Sequence, residues 1–171
     1  MNNSKITHYY SVSGKPLSYH HEDDAGIDLP IWDSKLVNGE ISTTGYIDLE
    51  PQQSVTLKTG VHLGIQKGHY GFLDSRSSTS KLKLDLLCRI IDNPFRGNIR
   101  VAFTNTGDET VRISNGDELF QIVIQEYSKA NLNQCFSLDE FMEQAGETTR
   151  GSDGFGSKER NRNSEGVNPN E

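Results

Sequence analysis

The stretch NIRVAFTN, residues 98–105, decides the fold class. Ile99, Val101 and Phe103 are separated by single polar or small residues. An apolar side chain at every second position is typical of a β-strand with one face in a core, because successive side chains point to opposite faces of a sheet. The stretch therefore predicts a half-buried strand.

Short segments rich in β-branched and aromatic residues recur on both sides of this stretch, with glycines and prolines between them. They are YIDL (46–49), SVTLKTGVHLGI (54–65), HYGFLD (69–74), TVRI (110–113) and LFQIVIQEY (119–127). The last is more continuously apolar and predicts a fully buried strand. Many short strands joined by turns predict an all-β sandwich or barrel.

One segment near the carboxyl end has the pattern of a helix. Ser137 and Glu140 have the spacing of a capping box, and Gly146 is suited to end a helix. Between them the apolar residues follow at helical spacing: Leu138, Phe141, Met142 and Ala145. The segment predicts a short packing helix.

The 171 residues fit one main domain, which we place at residues 1–149. Residues 150–157 are glycine-rich and are expected to be mobile. Residues 158–171 contain one aliphatic side chain and are expected to form a disordered polar tail. The polar, turn-rich segment 31–45 predicts a long loop or an added hairpin that offers a contact surface for a protein partner.

Composition excludes several functional classes. The formal net charge of −7 argues against a nucleic-acid-binding surface. No apolar run approaches the roughly 18 residues of a membrane span, and no signal peptide is apparent. The distant cysteines, Cys88 and Cys135, argue against a zinc site or disulfide and favour a reducing compartment. We therefore expect a cytoplasmic protein that binds neither membranes nor nucleic acid.

The segment DDAGIDL, residues 23–29, allows a close approach of the backbone. Ala25 and Gly26 are small, so another group can come near the chain there. Asp28 lies between two apolar residues. A carboxylate in that position either caps a turn or pairs with a cation.

The segment DSRSSTSK, residues 74–81, has the composition of a phosphate-binding turn. Arg76 offers a planar fork of donors, and Ser77 and Ser78 add hydroxyl groups. If a helical turn begins near Ser78, its free N–H groups would add a partial positive charge. An ordinary serine-rich turn remains the alternative.

The segment RIIDNPFRG, residues 89–97, predicts a hairpin, because Asn-Pro favours a turn and a strand follows. Asp92 ends the first strand. Its carboxylate is either a base toward water or the acceptor of an Asx-turn. In NGDELFQIVI, residues 115–124, Gln121 interrupts an apolar strand and must find partners in a neighbouring backbone or a ligand.

The segment RGSDGFGS, residues 150–157, combines flexible backbone with one aromatic ring. Arg150 and Ser157 are suited to hold phosphates. Phe155 on a mobile segment suits a lid that becomes ordered over a flat ligand.

Together, and in this order, these five segments resemble the five motifs of the trimeric dUTP diphosphatase (dUTPase) family. AGIDL is similar to the first motif, SRSS to the second, RIIDNPFRG to the third, GDELFQ to the fourth and RGSDGFGS to the fifth. The resemblance runs from residue 23 to about residue 157. It implies a dUTPase-like jelly-roll or β-barrel with one or two short helices, assembled as a homotrimer whose sites each draw on three chains.

The resemblance also implies a reaction. Asp92 would orient a water molecule that attacks the α-phosphorus of dUTP, giving dUMP and pyrophosphate. Mg²⁺ would be held by the three phosphates and water, with no direct protein ligand, and the run HHED (20–23) is better explained as a solvated loop than as a metal site. Such activity limits uracil in DNA and supplies dUMP for dTTP synthesis.

The family's site residues are carried over position by position. Asp92 would be catalytic and Asp28 supporting. The phosphates and nucleoside would be bound by Arg76, Ser77, Ser78, Phe95, Gln121, Arg150, Phe155, Gly156 and Ser157. Phe155 would lie over the uracil, and Phe95 would crowd the 2′ carbon and disfavour ribose.

This chain departs from the usual motifs at five positions. Phe95 replaces a tyrosine, Ser75 a proline, Arg89 a glycine, Glu118 a basic residue and Asp153 a tail glycine. The motif carboxylate, the phosphate-binding arginines and the stacking ring are all present, so the sequence still predicts an active enzyme.

Two alternatives remain at this point. A dCTP deaminase shares the fold, but its catalytic glutamate would fall at Ala102 in this chain. A dUTP-binding regulatory protein on the same fold would need neither turnover nor Asp92 as a base.

Overall fold

The computed structural model describes residues 7–32, 36–37, 40–41, 45–146 and 148–149. The chain divides into two compact units, Met1–Ser128 and Lys129–Glu171. Each unit is described by itself below. The expected mobile segment 150–157 and polar tail 158–171 lie outside the described residues.

In the described part of the first unit, nearly all regular secondary structure is β-strand, which confirms the predicted fold class. A 3₁₀ helix, Thr79–Leu82, is its one helical turn among the described residues. The strands are β1 His8–Ser11, β2 Ile27–Pro30, β3 Leu36–Val37, β4 Glu40–Ile41, β5 Tyr46–Leu49, β6 Ser54–Lys58, β7 Val61–Gly64, β8 His69–Ser75, β9 Leu84–Leu86, β10 Ile90–Ile91, β11 Arg100–Asn105, β12 Val111–Ser114 and β13 Glu118–Glu126.

The strands form small antiparallel sheets. The largest has the order β10–β8–β13–β2, and a second has the order β6–β11–β9. Three two-stranded ladders, β1–β7, β5–β12 and β3–β4, complete the described pairing. The β3–β4 ladder pairs Leu36 with Ile41, so the segment 31–45 contains a short added hairpin, one of the two forms predicted for it.

The core lies between the two larger sheets. On β11, Val101 and Phe103 are fully buried while Arg100 is exposed, which confirms the predicted alternation. The ring of Phe103 contacts the ring of Phe120 from the other sheet, with centroids 4.9 Å apart. Since a fully buried large apolar side chain contributes about 1.5–3 kcal/mol, such contacts hold the two sheets together.

The prediction of a fully buried β13 is wrong for the single chain. Phe120 and Ile122 are completely buried, but Gln121 and Val123 are only half-buried. One face of the strand packs on the core, and the other lines a cavity. The apolar run in the sequence hid this alternation because Val123 lies on the cavity face.

The prediction that the strands on either side of Asn93 and Pro94 pair with each other as a hairpin is also wrong. Strand β10 pairs with β8, whereas β11 pairs with β6 and β9. The turn therefore passes the chain from one sheet to the other. Backbone hydrogen bonds on its two sides go to different strands, because Leu73 N donates to Arg89 O and Ile99 N donates to Val61 O.

Asn105 is a buried amide at the end of β11 whose polar atoms all have partners. Its Nδ2 donates to the carbonyl oxygens of Leu49, at 2.9 Å, and Glu109, at 2.8 Å. Its Oδ1 accepts from Gly107 N at 2.9 Å. The side chain thereby ties three chain segments together.

Arg112 and Asp48 form a two-pronged ion pair across the β5–β12 ladder. Arg112 Nε and Nη2 donate to the two carboxylate oxygens of Asp48 at 2.7 and 2.9 Å. Hydrogen bonding to Arg112 lowers the pKa of Asp48 from its ordinary value. The guanidinium also lies 4.0 Å from the centroid of the Tyr46 ring.

The described part of the second unit contains the helix α1, Leu138–Ala145, which confirms the predicted helix. Ser137 Oγ accepts from Glu140 N at 3.1 Å, and Gly146 ends the helix with a φ of 76°. The packing role stays a prediction. Leu138 is 73% exposed, and none of the helix residues is buried.

Both cysteines, Cys88 and Cys135, are free, as the sequence predicted. In the described part of the chain, no helix has the length and apolar character needed to cross a membrane.

Candidate functional site

A cavity of about 350 Å³ opens beside β2 and β13 in the first unit. Its lining comes from the segments 23–29, 74–81 and 115–124, together with a histidine that precedes the first of them. The lining residues are His20, Asp24, Ala25, Gly26, Asp28, Arg76, Ser77, Gln121 and Val123.

Strand pairing explains why these distant segments meet. Strand β13 is central in its sheet and pairs with β2 on one side and β8 on the other. Gln121 is therefore opposite Asp28 on β2 and opposite Asp74 on β8. Arg76 follows directly after β8, so it reaches the same edge as Gln121.

Gly26 is needed because Gln121 fills the space beside it. A Cβ on residue 26 would lie 2.0 Å from Gln121 Oε1 and 2.8 Å from its Cδ. The amide also donates through Nε2 to Ser75 O at 3.3 Å. The group that comes close to the chain at Gly26 is therefore the side chain of Gln121, and the partner of that side chain is the backbone oxygen of Ser75.

Arg76 is held by acceptors from two sides. Its Nη2 lies 3.0 Å from Asp28 Oδ2, so Asp28 pairs with a cation, one of the two roles considered for it. Its Nη1 donates to the backbone oxygen of Glu118 at 2.8 Å and lies 3.6 Å from Glu118 Oε2. The Arg76 side chain is 27% exposed and lines the cavity.

The serines of the second segment occupy different positions. Ser77 is exposed and lines the cavity. Ser78 is the N-cap of the 3₁₀ helix that begins at Thr79, so the predicted helical turn is present. Ser78 makes no side-chain cap and does not line this cavity. The Thr79 hydroxyl donates to Leu119 O and joins this turn to β13.

The third segment does not contribute to this cavity. Asp92 is exposed, and its backbone oxygen accepts from Phe95 N at 3.1 Å in the turn. Phe95 is 44% exposed, and its ring lies over Gly97, where an added Cβ would be 2.6 Å from Phe95 Cζ. The cavity therefore brings together the first, second and fourth segments, and no residue of the third segment lines it.

The fifth segment lies outside the described residues. Arg150, Phe155, Gly156 and Ser157, together with the departure at Asp153, remain predictions.

A family model described as dUTPase matches residues 17–158. The chain belongs to the dUTPase family. The deoxyuridine 5′-triphosphate nucleotidohydrolase of Mus musculus is 31% identical over 114 residues, which are 66% of this chain and 66% of the mouse chain. The protein of the same name from Camelpox virus (strain CMS) is 32% identical over 112 residues, 66% of this chain and 71% of the viral one.

Solved dUTPase structures have the same fold. The dUTPase of Staphylococcus bacteriophage 80alpha with dUPNHPP matches with a TM-score of 0.69 and 23% identity, covering 90% of this chain and 98% of the phage chain. The dUTPase of phage phi11 of S. aureus matches with a TM-score of 0.63 and 23% identity, covering 78% and 98%. At these identities the likeness establishes the fold alone.

Three residues that line the cavity of this dUTPase-family chain, His20, Asp24 and Val123, were not predicted as site residues from the sequence. Asp24 Oδ2 accepts from His21 N at 2.8 Å, which shapes the loop before β2. His20 packs edge-on against His21, with ring centroids 4.5 Å apart. The run HHED (20–23), interpreted from the sequence as a solvated loop, is exposed throughout, and its His20 also lines the cavity.

Three residues that differ from the usual motifs, Arg89, Ser75 and Glu118, make specific contacts in the structure. Arg89 Nη1 lies 2.5 Å from Asp74 Oδ1, so this replacement for glycine ties the third motif to β8. Ser75 accepts from Gln121 through its carbonyl oxygen, which a proline would also offer. Glu118 begins β13 and faces Arg76.

The carboxylates at the cavity already have partners within the protein. The Asp28 carboxylate is engaged by Arg76, and an Asp24 oxygen accepts from a backbone N–H. Over the residues that the structure describes, no group of three or more His, Cys, Asp or Glu side chains is arranged to hold a metal ion. These residues fit a cation that arrives on phosphate oxygens better than a cage of protein ligands.

Proposed function

We propose that this chain is a dUTP diphosphatase that hydrolyses dUTP to dUMP and pyrophosphate. The observation that carries the proposal is the cavity in which Arg76, Ser77 and Gln121 converge, since these are the residues matched to the family's phosphate-binding motifs. The relatives named deoxyuridine 5′-triphosphate nucleotidohydrolase support the substrate.

In the proposed reaction, Asp92 accepts a proton from a water molecule. The water oxygen forms a bond to the α-phosphorus, and the bond from that phosphorus to the bridging oxygen breaks, so pyrophosphate leaves with the bonding electrons. An exposed carboxylate in a turn is accessible for this role. Most of the rate in such reactions comes from positioning and charge stabilisation.

The phosphates would be held by Arg76, whose side chain lines the cavity, with Ser77 and Gln121 beside it. Because Arg76 is already fixed by Asp28 and the Glu118 carbonyl, little side-chain freedom is lost when a phosphate binds. Ser78, Arg150, Gly156 and Ser157 are proposed to complete the phosphate contacts.

Mg²⁺ is the proposed cofactor, carried by the three phosphates and water. When bound, it neutralises charge on the phosphate oxygens. The engaged carboxylates at the cavity support this arrangement. A solved structure of a phi11 phage dUTPase variant contains a structural Mg(II) ion in the phage protein.

We further propose a homotrimer in which each site combines motifs from three chains. Asp92 and Phe95 do not line the cavity that contains Arg76, so one chain presents an incomplete site. The exposed apolar residues of the second unit, including Phe136 at 85% and Leu138 at 73%, supply surface that a neighbouring copy can cover.

The nucleoside would be selected by the third and fifth motifs. The backbone near Asp92 would pair with uracil, so that cytosine leaves donors unpaired. The Phe95 ring would crowd the 2′ carbon, and Phe155 would stack on the base. In a cell, in the cytoplasm as we propose, this activity would limit uracil in DNA and supply dUMP.

No observation in the described residues favours the two alternatives. Ala102 on β11 is half-buried and has no group that transfers protons, which argues against dCTP deamination. A purely regulatory role would leave the exposed Asp92 without a function. A protein partner at the hairpin in 31–45, which we also propose, is compatible with hydrolysis.

The test is pyrophosphate release from dUTP, dCTP, dTTP and UTP in the presence of Mg²⁺. We expect release from dUTP alone at low enzyme concentration, and loss of about 10³-fold or more in Asp92→Asn with dUTP binding retained. Asp85→Asn, an exposed carboxylate on β9, is the matched control and should retain full activity. Absence of turnover by the parent chain would overturn the proposal.

A further inference from the structure

Glu118 is an acidic residue beside Arg76, the one cation of the described cavity lining that has to receive a polyanion. It is half-exposed, with 50% of its side chain accessible, and its Oε2 lies 3.6 Å from Arg76 Nη1. Arg76 already has Asp28 at 3.0 Å on its other terminal nitrogen. The phosphate-binding cation is therefore flanked by two carboxylates.

The two carboxylates have different roles in holding Arg76. Asp28 has 16% of its side chain accessible and makes the shorter contact. The backbone oxygen of Glu118 accepts from Nη1 at 2.8 Å, and this bond is independent of the residue 118 side chain. Removing the Glu118 carboxylate therefore leaves both close anchors of the guanidinium in place.

The charge of the lining is unfavourable for an anion. In the described residues, Arg76 is the one arginine or lysine that lines the cavity, while Asp24 and Asp28 both line it. Glu118 adds a third carboxylate next to the same guanidinium. A triphosphate that approaches Arg76 is therefore repelled by the negative charge of these carboxylates.

We infer that Glu118 is a positioning residue that limits the affinity of this chain for the phosphates of its nucleotide. Its carboxylate lies 3.6 Å from Arg76 Nη1 and repels the incoming phosphates. The consequence is a KM higher than the remaining phosphate contacts would give, with little effect on the chemical step. This inference rests on the proposed function.

The test compares Glu118→Gln with the parent in steady-state hydrolysis of dUTP. Glutamine keeps the backbone acceptor and the side-chain shape but removes the charge. Loss of a half-exposed ion pair and of repulsion toward several phosphate charges predicts a fall in KM of roughly three- to tenfold. We expect kcat to stay within about twofold, because Arg76 keeps its anchors.

A matched control carries the same charge change away from the cavity. Glu109 lies in the exposed loop between β11 and β12, and Glu109→Gln should leave KM unchanged. The effect at Glu118 should also shrink as salt is raised from about 0.05 to 0.5 M, since screening weakens charge interactions at an exposed site.

Two inhibitors separate electrostatics from a general change in the site. Inorganic triphosphate should inhibit Glu118→Gln more strongly than the parent, whereas uncharged deoxyuridine should inhibit both equally. An unchanged or raised KM, or an equal gain for both inhibitors, would overturn the inference. A parent chain without dUTP turnover would instead refute the proposed function, so the two failures are distinguishable.

Discussion

Replacing Gly26 with alanine tests how the cavity is built. The added Cβ would lie 2.0 Å from Gln121 Oε1 and 2.8 Å from Cδ. Ordinary contact needs more than 3.4 Å, so the amide must move by over 1 Å. It then leaves its preferred rotamer and loses its bond to Ser75 O.

The expected magnitude follows from these two costs. An off-rotamer side chain costs about 0.5–1.5 kcal/mol, and a lost hydrogen bond about the same. Gly26→Ala should therefore lower the free energy of unfolding by about 1–3 kcal/mol and lower kcat/KM for dUTP more than tenfold, because Gln121 is displaced into the phosphate site. Gly64→Ala, where the nearest atom would be 3.4 Å away in ordinary contact, is the matched control.

The assay is urea unfolding at one fixed protein concentration, applied as a double-mutant cycle. In the Gln121→Ala background the clashing atoms are gone, and the nearest remaining atom of residue 121 is its Cβ at 3.3 Å. The cost of Gly26→Ala should then fall below about 0.5 kcal/mol. An equal cost in both backgrounds would refute the proposed packing of Gly26 against Gln121.

Three further predictions follow from other contacts. Asn105→Ala removes three hydrogen bonds from a buried site and should lower the free energy of unfolding by about 3–5 kcal/mol in urea; a loss under about 1 kcal/mol would contradict the contacts described. Asp48→Asn should destabilise the chain at pH 7, but the difference should vanish on acidification. Arg112 lowers the pKa of Asp48 in the folded state, so the ion pair stabilises the fold at any pH above the ordinary pKa of about 3.9. This stabilisation is lost as the pH falls through the lowered pKa of the folded state. A difference in stability between the parent and Asp48→Asn that persists at about pH 2 would count against the ion pair. Gly97→Ala should displace the Phe95 ring and lower the preference for dUTP over UTP on the order of tenfold in kcat/KM, and an unchanged ratio would exclude Phe95 from sugar selection.

The fold class was predictable because period-2 alternation survives in the sequence wherever one face is buried. Val101 and Phe103 are the clearest example. Pairing was less predictable, because a turn at Pro94 is compatible both with a hairpin and with a crossing between sheets. Only the partners of Ile90 and Arg100, which are strands far away in the sequence, decide between the two.

The candidate site was predictable in its residue types but not in its grouping. The sequence identified Gly26 and Gln121 separately and gave no sign that one makes room for the other. It marked Glu118 as a departure, but the contact with Arg76 required three-dimensional positions. The helix α1 was predicted with its cap because Ser137 and Glu140 are close in sequence, whereas the 73% exposure of Leu138 was not predicted.

The central claim is that dUTP is hydrolysed at sites shared between copies of the chain, with Asp92 and Arg76 of one site supplied by different copies. The most direct measurement is pyrophosphate release after Asp92→Asn and Arg76→Ala chains are unfolded and refolded together in equal amounts. Each variant alone should be inactive. The mixture should recover activity at about a quarter of the sites. A site is active only when the chain that supplies Asp92 and the chain that supplies Arg76 both carry the intact residue, and each does so with a probability of about one half. No recovery in a mixture shown to form mixed oligomers would contradict the account.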